Sequence, residues 1–253
     1  METLKFGKKP AVYDSRTLKM AKYVKELAPP PKSYNIFELI CRKLNIYDPS
    51  VLYPMDGNDQ YGDCVCAAIA HAITTYGGLI GNENIPESRD VVRLYKKLTR
   101  CRGDVGLNEL QTLKKWRKRP LLKEQILAFT EMSPRDHLSI MHSIHLFGGC
   151  FVGMVVQENA IADFQAKRIW TPGSLTGDGH CVYFVAYNEN GVMLLTWGGT
   201  QLASWEWVDE CLDEAYAIIP PEAKNPSFAP GFAFEELMED LTAVQKINNS
   251  LKN

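Results

Sequence analysis

Residues 57–72, GNDQYGDCVCAAIAHA, place two thiols, Cys64 and Cys66, at the start of an apolar run. From 64 to 76 the run is apolar on every side, which predicts a buried helix. Gly62 permits a sharp entry turn and Asp63 is the expected N-cap. A cysteine in the first turn of such a helix stands at the positive end of its dipole. That position favours thiolate and lowers the thiol's pKa. Free backbone N–H groups at the same end can stabilise an oxyanion. Cys64 stands at the mouth of the helix, whereas Cys66 points about 200° away around the axis. The spacing therefore points to Cys64 as a nucleophile and Cys66 as a core residue. The competing reading makes both of them small core hydrophobes, the commoner fate of cysteine.

A nucleophilic thiolate needs a base, and the chain has five histidines. His71 lies on the face of Cys64 but two turns on, about 10 Å along the axis, so it reads as a core histidine. His137, His142 and His145 fall on a helix predicted at the surface. His180 follows Gly177-Asp178-Gly179 and opens an apolar strand, a suitable catalytic position. The alternative is a capped, solvated histidine.

The elements that must position these groups divide into three parts. Residues 1–50 read as an extension. Leu18, Ala21, Val24 and Leu27 have a helical rhythm, which Pro29-Pro30-Pro31 ends as stiff extended chain. A second short helix puts Ile36, Leu39, Ile40 and Leu44 on one face. Both helices are expected as clasps on the main domain, the alternative being that they lie across a groove and control access. Residues 51–220 read as the compact domain. Helices are predicted at 64–76, 87–98, 107–116 and 135–147, and strands at 150–156, 180–187, 192–197 and 215–219. Asn188-Glu189-Asn190-Gly191 is a hairpin turn signal. Helices first and strands later give an α+β fold. Residues 221–253 read as a linker and an amphipathic helix over 234–248, whose face Leu237, Leu241, Val244 and Ile247 needs a partner surface.

A Cys-headed buried helix, then GGCFVGMVV, DFQAKRIW, GHCVYFVAY, LLTWGG and a terminal strand, resembles the papain-like cysteine peptidase fold over roughly residues 55–220. More narrowly, the chain is similar to phage and bacterial proteins carrying a GNDxxGDC segment, and this likeness extends into the KKPAVYDSRTLKMAKYV leader. The resemblance implies a helical part with a Cys-headed central helix, followed by an antiparallel sheet or barrel part. It implies Cys64 as nucleophile, His180 as general base and Trp197 as the tryptophan shielding the histidine. The family's oxyanion-hole glutamine stands six residues before the cysteine, where this chain has Asn58. In an alternative alignment Gln60 stands six before Cys66. The family's orienting asparagine, two residues before the tryptophan, is Leu195 here. If Tyr187 pairs with Val192, Leu195 shares the side of His180 and Thr196 faces away unless a bulge intervenes. Thr196 or Asp178 is then left to orient the imidazole, or nothing does. Trp197, Gly149 and Gly179 are the expected substrate-binding residues.

The expected function is thus a thiol hydrolase or acyltransferase, a cysteine peptidase acting on amide bonds of a peptide or protein through Cys64 and His180. The alternative is a non-catalytic papain-like scaffold used for binding. Other classes are disfavoured. Of 253 residues, 28 are basic and 30 acidic, a formal charge of −2, so neither nucleic acid nor an anionic membrane is an expected partner. The basic run Lys114 to Arg119 reads as a solvated helix end. The tryptophans of 197–207 read as sheet-edge packing, and Gly148-Gly149 and Gly198-Gly199 as turns. The longest apolar stretch, 144–156, is too short to span a bilayer. The N-terminal residues lack an apolar signal core, so a cytoplasmic product is expected. Seven cysteines in a chain this long do not suggest a disulfide scaffold. No CxxC or HExxH spacing is present, so no metal or organic cofactor is expected.

Overall fold

The computed structural model describes residues 4–250. The chain opens with α1 (Met20–Val24), β1 (Tyr34–Asn35), α2 (Ile36–Leu44) and α3 (Pro49–Leu52). The helical half follows with α4 (Cys64–Leu79), α5 (Ser88–Leu98) and α6 (Glu109–Lys118). Then come β2 (Ala128–Met132), α7 (His137–Phe147), β3 (Cys150–Gln157), α8 (Ala160–Gln165) and β4 (Leu175–Asn188). The chain ends with β5 (Gly191–Thr196), β6 (Gly199–Ser204), α9 (Trp205–Cys211), β7 (Leu212–Ile219) and α10 (Phe234–Ser250).

The sheet runs β2-β7-β3-β4-β5-β6, with β1 added on β4, and every pair is antiparallel. Successive residues of a strand face opposite sides, and here each side has its own core. Phe151, Cys181, Tyr183 and Leu195 join the cluster built on α4, α5 and α6. Val152, Val182, Phe184 and Leu194 join the cluster built with α7 and α9. The central strands β3 and β4 therefore read as continuous apolar runs because both their faces are covered.

Local chemistry sets the helix ends. Asn35, Asn108 and Asp136 each accept a hydrogen bond from the backbone N–H three residues on, capping α2, α6 and α7. Gly148, at φ 83°, closes α7 in the left-handed region. Asp63 stands at the N-cap position of α4, but its side chain makes no capping hydrogen bond. It is buried beneath the segment before it rather than turned back over the helix.

Three expectations about the elements change. The α7 helix is a core helix, with His142 buried along with Ile140, Ile144 and Phe147. Its eleven residues, His137–Phe147, include no Asp, Glu, Lys or Arg, so it has no charged face to turn to water. Strands β2 and β6 and helix α9 were not visible as periodic runs. The tryptophan stretch after β5 forms β6 and α9, with Trp207 fully buried in the core. In the leader, Val24 of the expected face is buried and Leu18 and Leu27 pack against the same core, but Ala21 is exposed and Met20 and Tyr23 are buried in its stead. The α10 helix packs back on α1, with Leu237 and Leu241 buried and Tyr23 donating to Asp240 at 2.6 Å. Ile247 stays half exposed.

Candidate active site

Cys64 is the first residue of α4 and is 1% exposed. What covers it is the chain's own N-terminal segment. Lys5 N–H donates to Asn58 O, Leu107 N–H to Gly7 O, Lys8 N–H to Gly179 O and Lys9 N–H to Leu107 O, all at 2.8–3.0 Å. Residues 5–9 thus lie extended in a groove between the start of α4 on one side and the 106–107 loop and Gly179 on the other. Lys8 pairs with Leu107 in the parallel sense. Glycines make the groove narrow enough for backbone to meet backbone. A Cβ on Gly7 would come within 1.8 Å of Gly62 O. One on Gly106 would come within 2.3 Å of Gly7 O, and one on Gly179 within 2.4 Å of Lys8 O.

The backbone amides of Cys181, the neighbour of His180, and of Gly7 favour the thiolate of Cys64. Burial nevertheless pushes the thiol up to about 12, against the pull of those amides. The same burial takes His180 down to about 3. The low thiol pKa expected from the helix dipole is therefore not what this state has. The dipole term is worth about 0.3–1 kcal/mol, up to about 2 in favourable geometry, and sealing the sulfur from water outweighs it. In the covered state both groups are neutral at pH 7.

His180 is buried in β4, and its Nε2 lies 2.7 Å from Thr196 Oγ1. Its Nδ1 has no hydrogen-bond partner among the described residues. With the proton on Nε2 and donated to Thr196, Nδ1 carries the free lone pair. The strand register explains how Thr196 reaches the ring. Tyr187 pairs with Val192, but the ladder shifts at Val185, so that Phe184 pairs with Leu194 and Tyr183 with Leu195. This single bulge inverts the facing of everything beyond it. Thr196 turns to the side of His180, and Leu195 turns away into the other core. Trp197, at φ 45°, stacks on the imidazole at 4.6 Å with the rings 20° apart. Phe6 of the leader makes T-shaped contacts with both rings.

Asn58 is buried, and its Nδ2 donates to Lys5 O at 3.2 Å and to Tyr61 O at 3.0 Å. Its amide is thus aimed at a carbonyl of the chain lying in the groove. Gln60 is exposed, and its side-chain amide donates to Asp59 at 3.4 Å, while Cys66 is fully buried in the core. Burial, and then the charge of Asp56, drive the Asp63 carboxyl up to about 8.

The other expected positions divide. Gly179 lines the groove through its carbonyl. Gly149 does not: it packs against the Tyr183 ring, four residues before Gly153 on β3, roughly 14 Å along the strand. Gly153, opposite Cys181, is the β3 glycine at the groove. Asp178 is exposed, and its backbone N–H donates to Thr176 Oγ1, so it does not orient His180. His71 is a buried core histidine, with Nε2 3.4 Å from Pro54 O and burial lowering it to about 4. His137 stacks on Trp205 and pairs with Asp209. Lys114 pairs with Asp14 and Arg117 stands in the last turn of α6, a helix-end setting for the basic run. Sequence reasoning missed Lys8, Glu109 and Glu214. Glu109 had one signal: an acid in the first turn of an otherwise basic helix. No group of histidine, cysteine and carboxylate side chains among the described residues is arranged to hold a metal ion. No helix of the described residues is long and apolar enough to cross a membrane.

No protein-family model matches the chain, and no curated protein matches it in sequence. Solved structures do resemble it. One is xylellain, a cysteine protease from Xylella fastidiosa, with a TM-score of 0.63 and 13% identity over 87% of this chain and 97% of xylellain. Another is procathepsin B S9 from Trypanosoma congolense, with a TM-score of 0.53 and 13% identity over 85% of this chain and 86% of that one. At these identities the likeness is one of fold. The chain has the fold of papain-like cysteine proteases, with α4 as the Cys-headed helix and the antiparallel sheet behind it.

Proposed function

We propose that the chain is a papain-like thiol hydrolase or acyltransferase, most simply a cysteine peptidase, held closed by its own residues 5–9. The observation that carries this reading is the Thr196–His180 hydrogen bond. It fixes the ring while leaving Nδ1 free, on the strand whose next amide favours the Cys64 thiolate. In the open state the Cys64 sulfur attacks an amide carbonyl carbon and its proton passes to His180. The oxyanion is received by Asn58 Nδ2 and the backbone N–H of Cys64. His180 returns the proton to the leaving amine, and water or an acceptor amine then releases the acyl group. Thr196 takes the place of the family's asparagine, and the fold of the two cysteine proteases supports a peptide or protein as substrate. The narrower likeness carried by GNDxxGDC at 57–64 belongs to the same proposal. So does a cytoplasmic setting, which seven free thiols suit.

A non-catalytic scaffold is the second reading, favoured by the complete burial of Cys64 and His180. One experiment separates the two. Removing residues 2–12 uncovers the groove but keeps the core residues Met20, Tyr23 and Val24. The peptidase reading expects iodoacetamide to label Cys64 at least tenfold faster than in the full chain. It also expects turnover of an unfolded protein substrate, lost in Cys64→Ser. Uniform labelling of the exposed thiols, without turnover, would establish the scaffold.

A further inference from the structure

Lys8 is a lysine whose side chain is only 1% exposed, and its ammonium sits among carboxylates. Nζ lies 2.7 Å from Asp213 Oδ2 and 3.2 Å from Glu214 Oε1, and also donates to Lys9 O at 3.3 Å. Glu109, fully buried at the start of α6, faces the same space. Neither of its carboxyl oxygens has a hydrogen-bond partner among the described residues. The three groups converge over Gly153. A Cβ there would come within 2.1 Å of Lys8 Cε, 2.6 Å of Glu214 Cγ and 2.8 Å of Glu109 Oε1. Gly153 pairs with Cys181 on one side and Glu214 on the other, and Tyr216 Oη donates to Glu214 at 2.8 Å and fixes it. The result is a site filled by the Lys8 side chain, with Gly153 beneath it and carboxylates around it. It opens on the groove one residue from the amide, Gly7 N–H, that favours the Cys64 thiolate.

A buried carboxylate is costly unless a cation or donor meets it. Two such carboxylates, Glu109 and Glu214, stand here with the partly exposed Asp213 beside them, and the leader meets them with a lysine. The geometry points to this pocket as a specificity site that takes a basic side chain, lysine or arginine, of the peptide substrate, with Lys8 as its internal occupant. This rests on the peptidase reading of the groove. Lysine leaves the Glu109 oxygens unpartnered, whereas a guanidinium carries five N–H donors in a planar fork and can reach Glu109 and Glu214 together. Arginine is accordingly the preferred residue.

The test uses the full chain with Lys8→Met, which vacates the charge site at similar length. Peptidyl chloromethyl ketones differing in one residue near the ketone, arginine, lysine, norleucine or glutamate, are compared for labelling of Cys64 by mass spectrometry. Arginine and lysine probes are expected to label at least tenfold faster than norleucine, with glutamate slowest. Adding Glu214→Gln should reduce that ratio to threefold or less. Norleucine labelling as fast as arginine would overturn the proposal. Binding is read separately from thiol chemistry, as the thermal shift of Lys8→Met with acetyl-arginine amide against acetyl-norleucine amide. A shift with arginine alone, in a protein whose Cys64 no probe labels, keeps the pocket and sinks the peptidase. Equal shifts sink the pocket whatever Cys64 does. Should Lys8→Met not fold, Lys8→Arg carries the test. It is expected to raise Tm and slow iodoacetamide labelling of Cys64 severalfold, and a lower Tm with faster labelling would overturn the proposal.

Discussion

Thr196 Oγ1 stands 2.7 Å from His180 Nε2, across a β4–β5 ladder whose one bulge, at Val185, puts the two side chains on the same face. The hydroxyl is a single short-armed acceptor where the fold's usual residue is an amide. Thr196→Val should therefore leave the ring's shape intact but its N–H buried and unpaired, at a cost of about 1–3 kcal/mol in stability. In the chain lacking residues 2–12, turnover should fall by roughly ten- to a hundredfold, and Thr196→Ser should restore most of it. Full activity in Thr196→Val would show that the imidazole needs no orienting partner.

Gly7 is the tightest point of the leader. Its four neighbouring backbone hydrogen bonds are worth about 0.5–1.5 kcal/mol each, and the Lys8 ion pairs and the Phe6 ring contacts add to them. Gly7→Val cannot pass Gly62 O. The expected outcome is at least a tenfold rise in iodoacetamide labelling of Cys64, with a cooperative melt retained. An unchanged rate would mean that the groove is wide enough to let reagent pass the leader.

Alkylation goes through the thiolate, so its pH profile reports the thiol directly. With the Cys64 thiol held up at about 12 by burial, the full chain should react tenfold faster per pH unit through pH 8 to 10, without levelling off. Removing residues 2–12 returns water and leaves the helix dipole and the Cys181 amide in place. That profile should level off at or below the ordinary cysteine value of about 8.5. A common profile for both proteins would contradict the leader as the cause.

Asp63 gives the opposite kind of pH signal. Its folded carboxyl sits near 8 against an unfolded value of about 3.9. The folded state therefore holds a proton that the unfolded state releases above pH 4. The stabilisation from this group is complete below that point and is lost as pH rises towards 8. Asp63→Asn removes the penalty and can also cap α4. Urea melts should show the variant gaining on wild type between pH 5 and 8, by up to about 1.4 kcal/mol per unit. A pH-independent difference would place the carboxyl in contact with water.

The chemistry-bearing positions were legible where they depend on local order. Cys64 at a helix mouth follows from a short stretch of sequence, as does the split between a helical half and a strand half, whereas His180, expected to open a strand, lies inside β4, which starts at Leu175. Thr196 was half legible. Alternation alone points it away from His180, and only a bulge, which leaves no mark in an unbroken apolar strand, brings it back. The thiol's pKa was misjudged for a different reason. The dipole is a property of α4 itself, but burial comes from residues some sixty positions earlier, folding over the sulfur. Gly62, Gly106 and Gly179 are ordinary turn glycines in one dimension. Only their meeting around residues 5–9 makes them the walls of a groove. Lys8 and Glu214 are 206 positions apart, and nothing in either neighbourhood announces the other.

The direction in which residues 5–9 run has a consequence for their survival. They pair in the parallel sense with Leu107, and the backbone N–H of Gly7 lies on the side of the sulfur. On the peptidase reading, such a segment covers the thiol as a latch that opens, and not as a fuse that is cut.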